Sequence, residues 1–155
     1  MMDIKLIRAS IDDAETIWRM QLVAFRELLD KYQDFDTNPG NEPLEKVQWR
    51  FSFPATYFYF IQVDGVNVGA IRVIDHHDES PKRISPLFVL PEFRGMGVAQ
   101  SAIREAEAIH GSSNWSLGTI LQEKGNCHLY EKMGYHSTGE TKTINDRLTL
   151  VFYVK

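Results

Sequence analysis

From position 87 to position 99 the chain reads Leu87-Phe88-Val89-Leu90-Pro91-Glu92-Phe93-Arg94-Gly95-Met96-Gly97-Val98-Ala99. An apolar strand runs into a glycine-bearing turn, and the turn opens directly into a helix. Such a segment is built to cradle an anion. Glycine admits close backbone approach and left-handed conformations. The first N–H groups of a helix have no intrahelical acceptor and point outward with the positive end of the helix dipole. Arg94 adds a permanent cation at the rim, and a pyrophosphate is the natural guest. Two other phosphate motifs fit less well. A P-loop needs Gly-Lys-Ser/Thr after its glycines, and no such triplet follows. A dinucleotide fingerprint needs a third glycine where this chain has Gln100. On local pattern alone the segment is either an anion cradle or a strand–helix turn with no ligand.

The elements that must position this turn can be read from periodicity and punctuation. Residues 3–9 alternate as a strand. Ser10 offers an N-cap with Asp12 and Asp13 in the first turn, and apolar spacing from Ala14 to Tyr32 predicts a helix over 11–32. Residues 33–42 are a loop, Pro43 starts a short second helix and Pro54 ends it. Residues 56–63 and 66–74 flank Asp64-Gly65, a strong hairpin signal. A polar loop over 75–82 precedes a strand at 84–90. A helix over 97–110 then stops at Gly111. A strand at 115–121, a helix at 124–133 and two strands at 135–144 and 147–153 complete the chain. The expected order is β α α β β β α β α β β, an α/β (α+β layered) fold.

Composition narrows the partners. The chain has 155 residues, 43% apolar and 25% charged, which suits a single globular domain over 1–155 with no need of disulfides. A net charge of −4 argues against binding nucleic acid through clustered cations. One cysteine, Cys127, rules out an internal disulfide and a multi-thiolate zinc site, so no metal is expected. No signal peptide or apolar run of membrane-spanning length is visible, so the expectation is a cytoplasmic protein with no membrane partner. The C-terminal strands offer a surface on which a homodimer could form.

The turn also resembles the signature of the GNAT superfamily of N-acetyltransferases, Arg/Gln-x-x-Gly-x-Gly/Ala. Arg94-Gly95-Met96-Gly97-Val98-Ala99 matches every specified position, after the lead-in Val89-Leu90-Pro91-Glu92-Phe93. A second family signature, Leu-Tyr-Glu-Lys-x-Gly-Phe/Tyr, is present as Leu129-Tyr130-Glu131-Lys132-Met133-Gly134-Tyr135, about 35 residues on. The resemblance covers nearly the whole chain. It implies a mixed, mostly antiparallel sheet of about seven strands flanked by about four helices, with acetyl-CoA as acyl donor. Backbone amides from Gly95 through Met96, Gly97, Val98 and Ala99 to Gln100 would hold the pyrophosphate. The edge at Phe88 and Val89 would pair with the pantetheine arm, and the strands at 84–90 and 115–121 would splay to admit the thioester.

Amine acetylation has a proton problem, because an amine of pKa about 10.4 is free base in only roughly one molecule in 2,500 at pH 7. The site must also support an oxyanion and reprotonate a thiolate. Tyr130 stands at the family's tyrosine position and is the candidate general acid; its other reading is a core helix tyrosine. The chain departs from the family at Glu123, where many members have Asn, and at Asn126, where many have Ala. Asn126 shares a helix face with Tyr130 and could meet the cofactor or bond its own backbone. No carboxylate lies in 83–90, so no general base is named; the loop residues His76, His77, Asp78 and Glu79 read as solvated. His128 and His136 read as surface residues, and His110 suits the dipole of a helix's last turn. Nothing is arranged to activate Cys127, so direct transfer in a ternary complex is expected over an acyl-enzyme. The resemblance implies an amine acceptor walled by the first helices and their loop, where Trp18, Phe25, Tyr32, Phe35 and Trp49 mix with Asp30, Asp34, Asp36 and Glu42; most of these aromatics also read as core residues at helical spacing. The competing reading is a non-catalytic CoA-binding sensor on the same fold.

Overall fold

A computed structural model describes residues 3–155. Seven strands form one sheet in the order β1-β2-β3-β4-β5-β7-β6. They are β1 Ile4–Arg8, β2 Thr56–Val63, β3 Val66–Ile74, β4 Lys82–Val89, β5 Trp115–Ile120, β6 His136–Thr143 and β7 Thr149–Val154. Four helices cover the sheet: α1 Ala14–Tyr32, α2 Leu44–Ser52, α3 Val98–His110 and α4 Lys124–Lys132. The element order is the one the sequence predicts, and every strand pair but one is antiparallel.

Strand alternation divides the core in two. From β2, Tyr59, Ile61 and Val63 face a layer with Val98, Ala102, Ile103 and Ala106 of α3. Phe58 and Phe60 face the other way, onto Ala14, Ile17 and Ala24 of α1 and Val47 of α2. The β2–β3 hairpin turns at Asp64 and Gly65, with φ of 50° and 83°, the pair of positive angles that matches strand twist.

Several boundaries shift. Residues 11–13 form a 3-10 turn, and α1 proper begins at Ala14. Asp13 accepts a hydrogen bond from the Ser10 amide (2.9 Å), which holds that turn tight. β4 begins at Lys82, two residues before the predicted start, because the Lys82 amide donates to Asn114 O (2.8 Å) and so zips β4 to β5. α3 begins at Val98, with Gly97 as its left-handed N-cap.

The exceptional strand pair is β4–β5. It is parallel and pairs only at Lys82↔Trp115 and Arg83↔Ser116. Beyond Arg83 the two strands diverge, and the sheet opens into a wedge.

Candidate active site

The wedge between β4 and β5 is the mouth of a cavity of about 730 Å³, well within the range that holds a cofactor-sized ligand. Its walls come from β4 (Arg83 to Val89), β5, α1 and α4, with Leu150 and Phe152 of β7 behind. Of the residues singled out by the sequence, Phe25, Phe88, Val89, Arg94, Ala99, Glu123, Asn126 and Tyr130 line it, while Gly95, Met96, Gly97, Val98 and Gln100 do not.

The turn at the rim has the predicted backbone. Gly95 and Gly97 both adopt left-handed angles, φ 75° and 76°, and a Cβ at either would meet open space. The first helical bond of α3 runs from Ser101 N to Gly97 O (3.1 Å). The six preceding amides, Gly95 to Gln100, have no backbone acceptor among the described residues. No side chain caps the helix. Six adjacent amides without a backbone acceptor, flanked by the cavity residues Arg94 and Ala99, could receive an anion there. The Met96 side chain is exposed, whereas that of Val98 is buried in the core.

Arg94 departs from the expectation of a free cation at the rim. Its guanidinium turns back onto the protein, donating to Val89 O (3.1 Å) and Ala24 O and pairing with Glu27 (3.4 Å). The fork of N–H groups thus bridges one carbonyl at the end of β4 and one within α1. Arg94 therefore ties the glycine turn to α1.

Tyr130 projects from α4 into the cavity, partly buried, with Tyr135 and Tyr153 around its ring (centroids 6.0 and 6.2 Å). Burial, then the neighbouring Cys127, pushes its phenol up to about 12. Asn126, one turn earlier, lines the same wall, and among the described residues its side-chain amide bonds nothing in the chain. Cys127 is buried, its Sγ set against Ile120 O (3.6 Å), outside the cavity lining.

Glu123, at the N-cap of α4, is held by Lys31 (2.7 Å) and the Tyr32 hydroxyl, which join α4 to the end of α1. Burial raises its carboxyl, but these two hydrogen bonds outweigh that and leave it below the usual carboxylate range. His77 and His76 do not line the cavity. His77 instead meets the Tyr57 hydroxyl (2.6 Å).

One cluster escapes the sequence reading. His110 does occupy the last turn of α3, but its side chain is only 3% exposed and reaches across the sheet. Its Nδ1 meets Asp75 Oδ2 (2.8 Å), and its Nε2 meets the Tyr59 hydroxyl (2.9 Å). Its Nδ1–H donates to the Asp75 carboxylate, and its Nε2 pairs with the Tyr59 hydroxyl, which can donate or accept. These partners lie 35 and 51 residues away, beyond any local pattern.

The chain belongs to the acetyltransferase (GNAT) family, whose model matches residues 22–135. It is 32% identical over 104 residues to the uncharacterized protein YrkN of Bacillus subtilis (strain 168), a match spanning 65% of this chain and 56% of that one. The chain is also similar in fold to the crystal structure of spermidine N-acetyltransferase from Vibrio cholerae in complex with CoA and spermine. That likeness has a TM-score of 0.74 and 16% identity, over 97% of this chain and 93% of that chain. PaiA N-acetyltransferase from Thermoplasma acidophilum, in complex with coenzyme A, gives 0.68 and 16% over 99% and 100%. Among the described residues no helix is long and apolar enough to cross a membrane, and no group of three or more His, Cys, Asp or Glu is placed to hold a metal ion.

Proposed function

We propose that the protein is an acetyl-CoA-dependent N-acetyltransferase acting on a primary amine of a small molecule or peptide by direct transfer. The observation that carries this reading is the run of six unpartnered amides, Gly95 to Gln100, beside the β4–β5 cavity. A diphosphate is the group that such a run fits. From there the donor's arm follows the open edge of β4 at Phe88 and Val89 into the wedge, past Asn126. The neutral amine attacks the thioester carbonyl and forms the C–N bond. The C–S bond then breaks, the Tyr130 hydroxyl supplies a proton to the departing sulfur, the extra proton on nitrogen passes to solvent, and solvent returns one proton to Tyr130. The products are the acetamide and free CoA.

Supporting this order, Cys127 is buried outside the cavity lining, so an acyl-enzyme has no thiol at hand. The test is thiol release from acetyl-CoA over a panel of primary amines, with the acetylated product identified by mass spectrometry. The expected result is amine-dependent release of free CoA together with acetylated product. Tight coenzyme binding with no turnover of any amine would instead make the protein a sensor, and no coenzyme binding would overturn the reading altogether.

A further inference from the structure

The charges lining the cavity are unequal. Glu27 is paired with Arg94 (3.4 Å) and Glu123 with Lys31 (2.7 Å). Arg83 also lines the cavity and, among the described residues, has neither an ion pair nor a side-chain hydrogen bond. It stands at the closed end of the wedge, where the β4–β5 pairing stops. That is the opposite end of β4 from the glycine turn, six residues from Val89, or about 20 Å at ~3.3 Å per residue.

A second arginine sits behind it. Arg72 of β3 is 4% exposed, yet its guanidinium meets only neutral acceptors, Ser85 O (3.0 Å) and Thr56 Oγ1 (3.1 Å). Ser85 is itself part of the cavity wall. Glu42, the carboxylate whose charge acts on Arg72, is committed to Arg50 through two bonds of 2.7 and 2.6 Å. Burial, then the charges of Arg50 and Arg83, lowers Arg72 to about 10. A buried cation without an anion is costly, and Arg83, itself exposed, adds a second positive charge that acts on it. An oxyanion delivered with the ligand would pair with the Arg83 fork and offset the charge felt by Arg72.

From this arrangement we infer that the acceptor is an amine carrying an oxyanion, a carboxylate or a phosphate-like group, held by Arg83 at the closed end of the β4–β5 wedge. The inference rests on the acetyltransferase reading and narrows it: polycations are disfavoured, and amines with an anionic far end are selected. Arg83 is the specificity-determining residue.

The experiment first measures acetyl-CoA binding by calorimetry for the wild type, Arg83→Gln and Arg83→Lys. Thiol release is then compared for ω-amino acids from glycine to ε-aminocaproate, aminoethylphosphonate, n-butylamine and spermidine. The best oxyanion amine is expected to exceed n-butylamine in kcat/KM by about tenfold or more, the worth of one charge-assisted hydrogen-bonded contact, with spermidine lowest. Arg83→Gln should erase most of that ratio through KM, and Arg83→Lys should restore part of it. The order of carboxylates against phosphonate names the anion. Equal or better use of n-butylamine or spermidine, or a ratio untouched by Arg83→Gln, overturns the inference. So does coenzyme binding with turnover of neither oxyanion class. Failure of the wild type to bind coenzyme overturns the acetyltransferase reading itself.

Discussion

Replacing Tyr130 with phenylalanine removes one oxygen from the cavity wall and little else. The phenol owes its shift to burial and Cys127, with no hydrogen bond contributing, and its ring contacts with Tyr135 and Tyr153 survive the change. Stability should therefore move by no more than about 0.5 kcal/mol. With the phenol near 12, only roughly one molecule in ten thousand is ionised at pH 8, so the proton is in place for every turnover. Full transfer to an ordinary thiolate, pKa about 8.5, would run uphill by about 5 kcal/mol. The sulfur, however, leaves against the same desolvating wall, which raises its own basicity. Before its proton transfers, the hydroxyl stabilises the charge developing on sulfur as a hydrogen bond worth about 1.5–3 kcal/mol. That corresponds to roughly 10- to 150-fold in rate, at the lower end of the ~10²–10⁴ typical of general acids. Steady-state thiol release should show kcat lower by about 10² in Tyr130→Phe, with the acetyl-CoA dissociation constant from calorimetry unchanged. A variant with wild-type kcat, or one whose loss lies wholly in coenzyme affinity, would remove Tyr130 from the chemistry.

Other perturbations read the scaffold. Asp75→Ala strips the acceptor from His110 Nδ1 and from the His77 amide (2.9 Å), and should cost about 2–3 kcal/mol in urea unfolding; a loss under about 1 kcal/mol would contradict it. Burial works against the Asp75 carboxylate, but the His77 amide and His110 outweigh it and leave it more acidic than in the unfolded chain. Its contribution should thus be present at neutral pH and fade as pH falls through the carboxylate range, which a denaturation series from pH 7 downward checks. Gly69→Ala would place Cβ 2.2 Å from Phe88 O on the facing strand. That should destabilise by about 3 kcal/mol or more and weaken coenzyme binding, because β4 must move. Burial raises the phenols of Tyr130, Tyr135 and Tyr153. Their folded values exceed the unfolded value of about 10, so stability should hold up to about pH 10 and then fall as pH rises further. A flat melting temperature between pH 9 and 11 would count against that burial.

The order of elements was legible because its punctuation is local. Asp64-Gly65, Pro91 and Gly111 each act within a few residues. The glycine turn was legible for the same reason: what matters there is backbone conformation and helix start. The side-chain partnerships were not. Arg94 looked like a free cation, yet it closes onto Ala24, 70 positions earlier. Glu123 looked like a departure from the family pattern, and its partners Lys31 and Tyr32 are more than 90 positions away. His110 looked like a helix-end residue until the sheet brought Asp75 and Tyr59 to its two nitrogens. Each of these pairings is decided by how layers stack, and no window of sequence contains both partners. The start of β4 was missed on the same ground, since Lys82 and Arg83 are polar and only pairing with β5, and at Arg83 also with β3, makes them strand.

The most direct test of the anion cradle is a two-dimensional amide NMR titration of the protein with CoA. The account predicts that the N–H signals of Gly95 to Gln100 move furthest and saturate together, as donors that had faced solvent acquire phosphate oxygens. Saturable CoA binding that leaves those six signals in place would contradict it.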